Sequence, residues 1–72
     1  MHPKVGETVE FYYIYDSRYV QDKDSAMILD TADSRNKAAR SAHYGGSNVL
    51  VKAVEKYLGN SRYETISETI IS

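Results

Sequence analysis

The chain has 72 residues, with nine Lys and Arg against ten Asp and Glu, and its formal charge of −1 excludes a global field that would draw it to nucleic acid or to an anionic membrane. Cysteine is absent, which excludes disulfides and thiolate metal sites. A hydrophobic content of 42%, with seven Tyr, one Phe and no Trp, argues against disorder, and the length allows a single small domain over residues 1–72.

The opening residues, Met1 to Gly6, lack the apolar stretch of a secretory signal. No apolar run reaches the roughly 18 residues of a spanning helix, so a cytoplasmic location without membrane contact is expected. Residues 7–15 alternate as a strand does, with Val9, Phe11, Tyr13 and Tyr15 on one face and Glu10, Tyr12 and Ile14 on the other; the first set is expected to face the core. The charged segment Asp16 to Asp24, with Tyr19 and Val20 in its middle, reads as a hairpin connection, and Ala26 to Asp30 as a short returning strand.

Thr31, Asp33 and Ser34 favour a helix start, because their side-chain oxygens accept from the unpaired amides of a first turn. The helix is expected over about 33–44. At helical spacing Ala38, Ala39 and Ala42 share the buried side, Lys37, Arg40 and Tyr44 the opposite one, and Gly45 or Gly46 supplies the left-handed stop.

Residues 47–58 fit two readings. Leu50, Val51, Val54, Tyr57 and Leu58 have helical spacing, with Ser47 as cap and Gly59 as stop; equally, Val49, Val51, Ala53 and Tyr57 alternate on one face of a strand. The valines and the hairpin chemistry of Gly59-Asn60-Ser61 favour the strand. A three-residue turn at 59–61 then sets Lys56 opposite Glu64, Val54 opposite Ile66, Lys52 opposite Glu68 and Leu50 opposite Ile70, with Arg62 to Ile71 as the last strand. The expected fold is α+β: a small, mainly antiparallel four-stranded sheet with one helix packed on it, in the order β-β-α-β-β.

No group of residues spells catalysis. His43 has neither converging carboxylates nor a second metal ligand in view, and Ser41 and Ser47 sit in no nucleophile turn. Gly45-Gly46-Ser47-Asn48 lacks the Lys-Ser or Lys-Thr of a P-loop, and Asp16, Asp22, Asp24 and Asp30 lack the spacing of a calcium loop. The chain therefore reads as a non-enzyme without cofactor or metal. The features suited to binding are the basic stripe Lys37 and Arg40, flanked by Arg35 and His43, and the tyrosines Tyr12, Tyr19, Tyr44 and Tyr63, which are expected to be exposed while Phe11, Tyr13 and Tyr57 enter the core.

The run Leu29-Asp-Thr-Ala-Asp-Ser, then Lys37-Ala-Ala-Arg-Ser-Ala42 and Val49-Leu-Val-Lys-Ala-Val-Glu55, resembles the strand, capped Ala-helix and strand of small phage and mobile-element proteins, among them anti-CRISPR inhibitors. The resemblance covers residues 26–58 and implies a compact stoichiometric inhibitor that docks on a host protein or nucleoprotein complex. The resulting expectation is a protein-binding module acting by occlusion, with Tyr12, Tyr19, Lys37, Arg40 and Tyr44 as the contact residues. A small RNA- or DNA-binding domain using the same stripe is the alternative, and a homodimer by edge-strand pairing is a further route of association.

Overall fold

The computed structural model describes residues 3–22 and 25–71; Met1, His2 and Asp24, which the sequence reading drew on, lie outside the described residues. Along the chain stand β1 (Thr8–Tyr15), a 3-10 turn (Ser17–Val20), a second one (Ser25–Met27), β2 (Ile28–Ala32), α1 (Arg35–Ala39), β3 (Val49–Gly59) and β4 (Arg62–Ile70). The protein is α+β, with one α-helix and a four-stranded sheet in which all three neighbouring pairs are antiparallel. In space the sheet is ordered β2-β1-β3-β4, an arrangement that the chain-order string does not contain, and the two 3-10 turns are additions to that string.

The segment read two ways is strand from Val49: β3 (Val49–Gly59) runs 11 residues and lies between β1 and β4, with Ser47 and Asn48 in the turn before it. Its β-branched and aromatic side chains suit a pleated surface covered on both sides near its start, where Val49, Leu50 and Val51 are all buried. The turn into β4 is tighter than expected. Gly59 pairs with Arg62, leaving Asn60 (φ 53°) and Ser61 (φ 60°) as a two-residue turn with positive φ at both positions, the geometry whose twist matches that of the flanking strands.

From that turn Lys56 sits opposite Glu64, but an extra residue on β4 at Thr65–Ile66 changes the partners beyond it. Val54 faces Ser67, Lys52 faces Thr69 and Val51 faces Ile70, in place of the Val54–Ile66, Lys52–Glu68 and Leu50–Ile70 pairs that an unbroken register requires. A slip of one residue moves side chains to the opposite face. Glu68 thus leaves the face of Lys52 and joins that of Ala53, while Lys52 pairs with Glu10 at 3.1 Å.

The core is two small clusters, one on each face of the sheet. On one face Tyr15, Val49 and Val51 are covered by the first 3-10 turn, which lays Tyr19 over them; on the other, Ile14 and Leu50 are covered by α1 through Ala38. Both covers sit at the same end, where β1 finishes and β3 begins. Among the described residues no helix or strand is layered on the far half of the sheet, where Pro3 lies beside Val9, Phe11 and Tyr63.

α1 is five residues long, not twelve. Ser34 caps it, accepting from the Lys37 N–H at 3.2 Å, but the Arg40 N–H already turns back to Lys37 and Ala38. The Ser41 hydroxyl donates to Asp30 and accepts from the His43 N–H, a local alternative to the helix ladder. Of the three alanines expected on the buried side only Ala38 is buried. Gly45 and Gly46 lie in the loop after the helix, and do not stop it. No helix is long and apolar enough to cross a membrane among the described residues.

Candidate functional site

Six of the eight aromatic residues form one ladder across the first face of the sheet: Tyr57, Tyr63, Phe11, Tyr13, Tyr15 and Tyr19. The strand registers explain it. Phe11 opposite Ala53, Tyr13 opposite Val51 and Tyr57 opposite Tyr63 all project to one side, and successive ring centroids stand 5.1, 5.2, 6.5, 6.3 and 4.0 Å apart. At the covered end Tyr15 and Tyr19 stack with 30° between their planes. At the bare end Phe11 and Tyr63 meet edge to face at 89°, an arrangement that sets the positive edge of one ring against the negative face of the other.

Ala53 has 0% of its surface exposed, so the rings close over the one small residue of this face. Phe11, Tyr13 and Tyr63 are half-buried. β2 pairs with β1 only as far as Tyr12–Ala32, which leaves the outer edge of β1 from Thr8 to Phe11 open. An open depression of about 470 Å³ lies beside that edge, bounded by Phe11, Tyr13 and Tyr63, by Thr31 and Asp33 where β2 leaves off, and by Lys37 and Glu55. A second one, of about 480 Å³, adjoins it and shares Phe11, Asp33 and Tyr63.

Glu55 is the chemical surprise of this face. It falls in the alternation of Val49, Val51, Ala53 and Tyr57, is only 6% exposed, and accepts a short hydrogen bond from the Tyr13 hydroxyl. It belongs to none of the three ion pairs among the described residues, Arg18–Asp16, Lys37–Asp33 and Lys52–Glu10. Glu68 accepts from the Tyr19 hydroxyl at 2.8 Å on the same side of the sheet. Burial, reinforced by its bond to Glu55, pushes the Tyr13 phenol well above its usual range, and burial with the bond to Glu68 pushes that of Tyr19 up to about 12. Tyr15 shifts the same way, through burial and then the Glu68 and Glu55 charges.

The five residues expected to make contact are not brought together. Tyr19 is 5% exposed and belongs to the core, so its expected exposure is corrected: Asp16 accepts from the Arg18 N–H at 3.0 Å, starts the 3-10 turn and folds Tyr19 inward. Tyr12 is half-buried on the opposite face, against Ile14, Ala38 and Leu50. Lys37, Arg40 and Tyr44 form no helical stripe because α1 ends at Ala39, five residues before Tyr44. Tyr44 (41% exposed) and Arg40 are on the surface, and Lys37 bonds Asp33 at 3.0 Å on the rim of the first depression. Of the three rings expected in the core, Tyr57 is buried, Tyr13 is half-buried against the Tyr15–Tyr19 cluster, and Phe11 is half-buried on the wall of the depression.

Sequence reasoning passed over Glu55. The signal was there: an acid at the fourth position of an otherwise apolar alternation. No protein-family model, characterised protein or solved structure matches the chain.

Proposed function

We propose that the protein is a non-catalytic protein-binding module that acts in the cytoplasm by occlusion, and that its contact surface is the bare aromatic half of the sheet around Phe11, Tyr13, Tyr63 and Glu55. The basic helix stripe is set aside. The observation that carries this reading is the ladder itself: three half-buried rings line a depression with a buried carboxylate, on the half of that face away from the first 3-10 turn, where no helix or strand of the described residues is layered. Aromatic rings of this kind bury much area for little lost side-chain entropy, which is why they dominate interface energetics. A stoichiometric inhibitor of a host protein or nucleoprotein complex, as the resemblance to small phage proteins implies, fits a domain this small.

The charges speak against direct nucleic-acid binding. Glu55, Glu68 and Asp33 accompany the rings, and the nearest cation, Lys37, is already paired. Self-association along β4 is opposed by the bulge at Thr65–Ile66, since a bulge twists an edge away from a second strand.

Affinity capture from the native host tests the reading. Phe11→Thr with Tyr63→Thr, substitutions that keep strand propensity, should lose the captured partner while far-UV circular dichroism stays that of the parent; Arg40→Ala with Tyr44→Ala should keep it. Unchanged capture by the first pair refutes the assignment of this face. A steep log-linear loss of binding with salt points to phosphate contacts instead.

A further inference from the structure

Resting on the reading that this face is the contact surface, we infer that the depression between Phe11, Tyr13 and Tyr63 is a receptor for an arginine side chain of the partner. Three features of the site converge on that chemistry. First, the walls are aromatic: Phe11 and Tyr63 stand perpendicular with centroids 5.2 Å apart, and Tyr13 follows at 6.5 Å from Phe11, so a planar cation entering the depression has aromatic rings beside it. Second, Glu55, a buried residue, lines the same depression, its hydrogen-bond donor a neutral phenol and no cation among the described residues paired with it. A buried carboxylate without a counter-charge is costly, and an incoming guanidinium offsets that cost while spending none of the protein's own side-chain freedom.

Third, the local charge is unbalanced. Of the charged residues lining the depression, Asp33 and Lys37 neutralise each other at 3.0 Å, and Glu55 remains as net negative charge. Arginine is favoured over lysine because a guanidinium both stacks flat on a ring and presents a planar fork to a carboxylate, whereas an ammonium is a compact, strongly hydrated point charge. A nucleotide would find rings for its base to stack on, but its phosphates would meet Glu55 and Glu68.

The test is a titration of the ¹⁵N-labelled full chain with N-acetyl-arginine amide, followed by two-dimensional NMR. Saturable shifts are expected at Phe11, Tyr13, Glu55 and Tyr63 and not at Arg40 or Tyr44. N-acetyl-citrulline amide, the neutral isostere, should give none, and N-acetyl-lysine amide a response several-fold weaker. Glu55→Gln should weaken the arginine probe about tenfold or more, the scale of a lost charge-assisted hydrogen bond. Phe11→Leu, which keeps an apolar side chain but removes the ring face, guards against a Glu55 variant that simply repacks, and should also weaken binding.

Equal response to citrulline, absence of saturable shifts at the depression, or full affinity in both variants overturns the inference. If the arginine probe fails while Phe11→Thr with Tyr63→Thr still abolishes partner capture, the arginine site falls and the contact surface stands. If the probe binds and capture ignores that pair, the contact surface falls and the cation site stands.

Discussion

Replacing Tyr19 separates a core residue from a contact residue most cleanly. Its ring stacks on Tyr15 at 4.0 Å, packs with Val49 and Val51, and its hydroxyl donates to Glu68 at 2.8 Å. Truncating a buried aromatic side chain to alanine costs about 3–5 kcal/mol, in a domain whose whole stability at this length is about 4–11 kcal/mol. At about 4–8 °C per kcal/mol for a domain of this size, Tyr19→Ala should lower the thermal midpoint by at least ~12 °C, enough to leave a large unfolded fraction at ambient temperature in a marginal fold. Tyr19→Phe keeps the stack and loses one hydrogen bond to a carboxylate that water can re-solvate, worth about 1 kcal/mol, so its midpoint should fall by about 4–8 °C. Thermal unfolding followed by far-UV circular dichroism reads both. A Tyr19→Ala midpoint within about 4 °C of the parent refutes the assignment of Tyr19 to the core and returns it to the surface.

Three further outcomes are expected. Ser61→Gly should raise stability by about 1 kcal/mol, because Ser61 holds φ 60° in a turn that favours Asn-Gly and glycine carries no left-handed penalty; a denaturation midpoint at or below the parent's contradicts this. Ala53→Leu should cost about 1–3 kcal/mol by wedging the rings apart over a residue with no exposed surface, and should abolish shifts with the arginine probe; a stable variant that still binds contradicts the packing described. Alkali should destabilise the fold in a defined window. The neutral phenols of Tyr13, Tyr15 and Tyr19 are favoured in the folded state, so their contribution is complete below the ordinary value of 10 and is lost as pH rises from there, through about 12 for Tyr19. Phenolate absorbance should show late-titrating tyrosines that join the rest on unfolding, and thermal midpoints should fall across the same interval; all seven titrating together near pH 10 in the folded chain contradicts it.

The strands were legible because their patterns are local. The alternation from Val9 to Tyr15 put Phe11, Tyr13 and Tyr15 on one side, and the valines of β3 outweighed its helical spacing. Packing interactions that the sequence does not spell decided the rest. Tyr19 sits among charged residues and reads as loop; only the 3-10 turn begun by Asp16 turns it inward. The helix from Ser34 reads three turns long by composition, but Ser41 binds Asp30 across from β2 and the chain leaves the helix before it. With the helix shortened, the basic stripe disappears, and with it the surface that residue composition favoured. The bulge at Thr65–Ile66 broke an otherwise sensible register and put Glu68 on the aromatic face. An acid inside an apolar alternation, Glu55, was the overlooked clue to the face that carries the candidate site.

Hydroxyl-radical footprinting of the captured complex, read residue by residue by mass spectrometry, tests the contact surface most directly. Phe11, Tyr13 and Tyr63, half-buried in the free protein, should lose labelling on binding, while Tyr44, 41% exposed, should label as before. Protection of Tyr44 with continued labelling of Phe11 and Tyr63 contradicts the account and moves the interface to the loop after α1.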